Sequence, residues 1–153
     1  MTAPTMAAAP LPPALEQVVA EFNALAVPDR LQLLLEIGQS LPDLPARYAD
    51  HPELLEPVPE CQSPIFLRTE VDGAGPAAVV HLFFSAPQEA PTTRGFAGIL
   101  HEGLDGLSAA EVLAVPADVT SRLGLAQAIS PLRLRGMAGM LGRVQRQVRE
   151  QIA

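Results

Sequence analysis

At 153 residues the chain is long enough for one domain with a real core, and 48% hydrophobic residues with a mean hydropathy of +0.22 exclude a wholly disordered chain. The formal net charge of -7 argues against binding a nucleic-acid backbone, and no apolar run reaches the ~18 residues that would span a bilayer. A single cysteine cannot form an internal disulfide, which suits a reducing, cytoplasmic compartment.

Residues 1–12 are Ala/Pro-rich, without a basic start or an apolar stretch. They read as a disordered leader rather than a signal peptide, with one domain over 13–153. Leu15, Val18, Val19, Phe22 and Leu25 then recur at helical spacing. Pro28 and Asp29 suit the first turn of a second helix, which stops before Pro42. Its inward stripe is expected to be Leu31, Leu34, Leu35, Gly38 and Leu41, and the two helices are expected to pack as a hairpin. Pro42, Pro45, Pro52, Pro57 and Pro59 rule out a regular helix or a central strand over 42–60 and predict a long loop.

Ile65 to about Val71 and Ala77 to Phe84 predict two strands of a β-hairpin, turning at Asp72-Gly73-Ala74-Gly75. Thr92 or Thr93 is a candidate cap for a helix through Phe96, Ile99, Leu100 and Leu104. Ser108 and Glu111 have capping-box spacing. A short helix is expected after Pro116, and Ser130-Pro131 opens a final helix with Leu134, Met137, Leu141, Val144 and Val148 on one face. Helices, then a hairpin, then helices make an α+β fold.

Charge is distributed unevenly. All ten basic residues are arginines, and five of them, Arg133, Arg135, Arg143, Arg146 and Arg149, fall in the last segment. The stretch 43–60 carries Asp43, Asp50, Glu53, Glu56 and Glu60 against Arg47 alone. This pattern suggests protein partners or internal charge balance, beside the plainer reading of solvated faces.

The chemistry concentrates at Cys61, in Pro57-Val58-Pro59-Glu60-Cys61-Gln62-Ser63-Pro64. A lone cysteine is more often a small buried hydrophobe than a nucleophile, but this one is set in a polar, proline-bounded loop just before a strand. Thiolate is the reactive form, and a free cysteine ionises near 8.5. Glu56 and Glu60 oppose the anion, and no basic residue in the loop offsets them. Activation is therefore left to a folded-in arginine, a helix N-terminus or a partner's site. His51, His81 and His101 lack any motif for a cysteine hydrolase or a zinc protease, and one cysteine with three scattered histidines makes no metal site. A cluster-holding iron–sulfur scaffold would need several thiolates.

At Pro59-Glu60-Cys61-Gln62-Ser63 the chain resembles the SufE family of cysteine desulfuration proteins, whose signature is a Cys-Gln-Ser loop before an apolar strand. The likeness runs in order over residues 14–150. It takes in Arg30 to Gly38 with the exit Leu41-Pro42-Asp43-Leu44-Pro45, then Arg94-Gly95-Phe96 and the segment Gly106 to Leu113. Leu123-Gly124-Leu125 and Ser130-Pro131-Leu132-Arg133-Leu134-Arg135-Gly136-Met137 complete it.

The resemblance implies a SufE/IscU-like fold: an N-terminal helical hairpin, a small antiparallel sheet and C-terminal helices. It implies a sulfur acceptor, not a free-standing enzyme. Cys61 would take persulfide sulfur from a SufS-like, pyridoxal-phosphate-dependent cysteine desulfurase, stimulate it, and relay sulfur towards an iron–sulfur scaffold complex. Gln62 and Ser63 would shape the loop and donate hydrogen bonds, and Arg133 would orient the loop or the partner. The pyridoxal phosphate is the partner's, and this chain is expected to need no cofactor or metal and to bind neither nucleic acid nor membrane. A module that activates its partner allosterically, with Cys61 structural, is the alternative; a thiol peroxidase or cysteine hydrolase is a third class. The chain departs from the family pattern where Asp-Ser-Asp is common, since Pro87-Gln88-Glu89 keeps only one acid, and at Pro64, which removes a backbone donor.

Overall fold

The computed structural model describes residues 10–153. Most of the leader expected over 1–12 lies outside the described residues, while Leu11 is buried against the core. The architecture is α+β. A three-stranded antiparallel sheet, ordered β1 (Glu56–Pro57), β2 (Phe66–Asp72), β3 (Val79–Ser85), is backed by helices.

Helix α1 (Pro13–Ala24) buries Leu15, Val18 and Phe22, and α2 (Val27–Gln39) buries Leu34, Ile37 and Gly38. The two are adjacent in the chain, as expected, and both dock mainly on α4 (Pro91–Leu104). Glycine makes that docking possible. A Cβ on Gly38 would lie 2.9 Å from the Gly95 nitrogen, one on Gly98 2.7 Å from the Ile37 carbonyl oxygen, and one on Gly103 2.8 Å from Leu15. Ile37 is buried at this contact, while Leu31, expected on the inner stripe, is 36% exposed. Arg94 donates across this junction to the Gly38 carbonyl, and to the Ala86 carbonyl just after β3.

The proline-rich window forms only single-turn pieces: α3 (Ala46–Ala49), a 3-10 turn at Pro52–Leu54, the two-residue edge strand β1, and a second 3-10 turn at Pro59–Cys61. The edge position is where a strand tolerates proline. In β2 and β3 the period-2 alternation puts Leu67, Thr69, Val80, Leu82 and Phe84 inward. The outer face carries Glu70 and Phe83, where α3 lays Arg47 and Tyr48; Tyr48 donates to Glu70 at 2.5 Å.

Helix α4 is the buried centre, with Phe96, Ile99, Leu100 and Leu104 at 0–2% exposure. The threonine cap expected there is not used. The helix begins at Pro91 with Ala90 as N-cap and no side-chain cap, because proline's fixed φ presets the first turn two residues earlier. The Ser108–Glu111 capping box forms reciprocally and opens α5 (Ala109–Leu113), and α6 (Val119–Arg122) follows Pro116. Ser130 caps α7 (Pro131–Ile152), which buries Met137, Leu141, Val144 and Val148 as the spacing predicts. Among the described residues, no helix is long and apolar enough to cross a membrane.

Candidate functional site

Cys61 ends the Pro59–Cys61 turn, at the tip of a loop closed by the Val58 N–H donating to the Ile65 carbonyl at 3.0 Å. Val58 and Ile65 are each 1% exposed, so both roots of the loop are anchored in the core. Within the loop, Cys61 N–H donates to Val58 and Gln62 N–H to Pro59, both at 3.1 Å. Gln62 then sits at φ 55°, the only non-glycine residue with positive φ among those described. A left-handed glutamine costs ~1–2 kcal/mol, and such strain persists where surrounding structure enforces it.

The turn that precedes Gln62 is seated on α7. A Cβ on Gly136 would lie 2.9 Å from Cys61 Sγ and 3.1 Å from its Cα, and a Cβ on Gly139 would lie 2.8 Å from a Glu60 carboxylate oxygen. Two glycines almost one turn apart thus make a flat patch on which the 3-10 turn rests. One more turn along, Arg143 donates to Glu60 at 2.7 Å and to Glu56 at 3.2 Å. Arg146 also pairs with Glu56, and Gln147 bridges Glu56 to the Thr69 N–H.

These contacts settle the electrostatics that the sequence left unbalanced. Burial alone would raise the Glu56 carboxyl, but the hydrogen bonds of Arg146 and Gln147 and the nearby arginine charges outweigh it and hold Glu56 below the usual range. Glu60 is lowered too, by its own backbone N–H and then by Arg143. Cys61 is half-buried, and burial, followed by the Glu60 charge, pushes its thiol up to about 11, with Arg143 pulling the other way. The thiol is therefore protonated at neutral pH.

Cys61, Gln62 and Ser63 open onto a cleft of about 410 Å³ whose far wall is Glu89 to Thr93 with Phe96, and whose rim carries Arg133. The structure thus brings together all four residues singled out from the sequence. Arg133 is exposed, and among the described residues its guanidinium pairs with none of the acidic loop; Arg143 and Arg146 take that role. His81 and His101 lie elsewhere, beside Asp105 in a separate hollow. Among the described residues there is no group of three or more histidines, cysteines or carboxylates able to hold a metal.

Three features of the site escaped sequence reasoning: the Gly136/Gly139 seat, the Arg143 clasp and Thr93. The glycines left a trace, since two of them inside a helix cost stability unless something approaches closely. The arginine-rich last helix and the acidic window were visible, but not which charges would meet.

The family model described as Fe-S metabolism associated domain, SufE, matches residues 16–148. The chain belongs to the SufE family. It is 55% identical over 150 residues to an uncharacterised SufE-like protein of Mycobacterium tuberculosis, covering 98% of this chain and 99% of that one. It is 28% identical to the chloroplastic/mitochondrial SufE-like protein 1 of Arabidopsis thaliana, over 89% of this chain and 35% of the longer relative. A hypothetical protein from Thermus thermophilus, solved in solution, superposes with a TM-score of 0.78 at 41% identity, covering 92% of this chain and 97% of that one. SufE membership ties the chain to iron–sulfur metabolism and agrees with the α+β architecture expected from the sequence.

Proposed function

We propose that the protein is a sulfur acceptor and carrier. Cys61 takes the terminal sulfur from the cysteine persulfide of a pyridoxal-phosphate-dependent, SufS-like cysteine desulfurase, stimulates that enzyme, and relays the sulfur to iron–sulfur cluster assembly. In the transfer, Cys61 sulfur bonds to the terminal sulfur of the partner's persulfide. The partner's S–S bond breaks, its cysteine leaves with the electron pair, and the proton lost by Cys61 ends on that cysteine.

The observation that carries this reading is the placement of the chain's one thiol. It lies in the wall of an open cleft, half-buried, with its acidity suppressed by burial and Glu60. A thiol of this kind reacts slowly with small molecules and needs a partner to complete its surroundings. Gln62 and Ser63 sit beside it, and Arg133, exposed and without an ion-pair partner among the described residues, lines the same cleft, where a docking protein would meet them. No histidine is among the described residues lining the Cys61 cleft, which disfavours a cysteine hydrolase.

One observation favours the alternative of an allosteric activator with a structural cysteine: Sγ packs directly on Gly136. Incubation with a cognate desulfurase and cysteine separates the two. The carrier gains about 32 Da, one sulfur atom, on Cys61, and Cys61→Ser abolishes stimulation. Stimulation by Cys61→Ser equal to wild type, with no adduct on the native chain, would sink the carrier reading.

A further inference from the structure

We propose that Thr93, with the uncapped first turn of α4 and the Arg133 guanidinium, forms an anion hole for the terminal sulfur of a Cys61 persulfide; the inference rests on the carrier reading above and names the groups that would hold its cargo. Thr93 is 9% exposed and lines the Cys61 cleft, yet its hydroxyl makes no hydrogen bond among the described residues. A hydroxyl with no internal partner is free to turn its O–H towards an acceptor arriving in the cleft.

The backbone beside Thr93 points to the same ligand. Helix α4 is 14 residues long, has Ala90 as N-cap and lacks a side-chain cap. Its first turn closes with the Arg94 N–H donating to Ala90 at 2.9 Å, so the N–H groups of Thr92 and Thr93 come before the intrahelical ladder begins. Such groups are unsatisfied donors at the positive end of the helix dipole. Ala90, Pro91, Thr92 and Thr93 all line the cleft, and Arg133 faces it from the start of α7 with no ion-pair partner among the described residues.

The resting thiol has little use for such a site. Cys61 is neutral at rest, with Sγ turned against Gly136. Loading adds one sulfur, and a persulfide is a stronger acid than its parent thiol, so negative charge appears on the outer sulfur only after transfer. The hole thus stabilises the loaded state over the empty one. Among the charged groups facing the thiol, Glu60 is held by Arg143 at 2.7 Å. Glu89, also in the cleft wall, opposes the anion and limits how tightly the sulfur is held.

The test loads Cys61 without a desulfurase. Sodium disulfide serves as donor: the Cys61 thiolate attacks one sulfur of HS–SH, an S–S bond forms, and hydrosulfide leaves with the electron pair, the donor sulfur being the oxidant. The pH dependence of iodoacetamide capping of the persulfide is then read by intact mass. Thr93→Val should shift the profile up by about one pH unit, the loss of one hydrogen bond to the charged form, while Thr93→Ser should keep the wild-type profile. Arg133→Met should also shift it up, and Glu89→Gln should shift it down.

Coincident wild-type and Thr93→Val profiles would overturn the anion hole, as would Thr93→Ser moving as far as Thr93→Val. Should Thr93→Val not fold, Arg133→Met and Glu89→Gln shifting in opposite directions supports the hole, and neither shifting overturns it. Loading by a desulfurase together with unmoved profiles keeps the carrier reading and rejects the hole. Failure of every desulfurase to load Cys61, with Thr93-dependent profiles on the chemically loaded chain, keeps the hole and rejects the carrier.

Discussion

Arg143 donates to Glu60 at 2.7 Å across 83 positions of sequence, next to the one thiol in the chain. The pair fastens the Cys61 turn to α7 and partly cancels the charge that most opposes the thiolate. Arg143→Gln releases Glu60, and the Cys61 thiol should become still less acidic, since the arginine is the influence lowering it. Iodoacetamide alkylation of Cys61 near pH 8 should slow several-fold, in keeping with a shift of up to about one pH unit. An unchanged rate would show that Arg143 does not act on the thiol.

Gly136 and Gly142 lie on the same helix in opposite surroundings. A Cβ at position 136 meets Cys61 Sγ and Cα at 2.9 and 3.1 Å, while at position 142 it meets nothing within 4 Å. Gly136→Ala should destabilise by about 1–3 kcal/mol through overpacking and push the loop off its seat. Gly142→Ala should stabilise by up to about 1 kcal/mol through helix propensity. Urea midpoints moving in opposite directions are expected; a stabilised Gly136→Ala would contradict the seat.

The thiol also links stability to pH. Its folded value, about 11, lies above the ordinary value near 8.5, so the folded state holds the proton more tightly. The resulting stabilisation is fully present below about pH 8.5 and is lost as pH rises towards and through about 11. Cys61→Ala should flatten the alkaline side of the stability curve relative to wild type. Parallel curves from pH 8 to 11, measured by urea denaturation, would rule out the linkage.

Thr69 faces the core at 0% exposure, and its hydroxyl has no partner among the described residues. Its backbone is satisfied by Gln147 and Gln151 of α7, at 2.7 Å each. Replacing the unpaired hydroxyl by a methyl of similar shape should stabilise by about 1 kcal/mol. A lower urea midpoint for Thr69→Val would show that the hydroxyl finds a partner in solution.

The fold was legible wherever local rules operate. Proline positions set the starts of α2 and α7, the Ser108–Glu111 spacing set α5, and period-2 alternation set β2 and β3. Local rules failed where another element decided the outcome. Leu31 shares the face of Gly38 yet stays 36% exposed, and β1 has no sequence signal because two residues carry no periodicity. At the site, Cys61, Gln62, Ser63 and Arg133 were read from a motif and do share one cleft.

The sequence by itself determined the α+β order of elements, the single thiol in a polar proline-bounded loop, and family membership, because these rest on residue identity and short-range spacing. Only the tertiary structure decided that Glu56 and Glu60 pair with Arg143 and Arg146, and that Arg133 and Thr93 line the cleft with no side-chain partner among the described residues. Charge pairing and burial depend on which surfaces meet across tens of residues. The close approach of the Cys61 turn to Gly136 and Gly139 sets those meetings, and no local pattern encodes it.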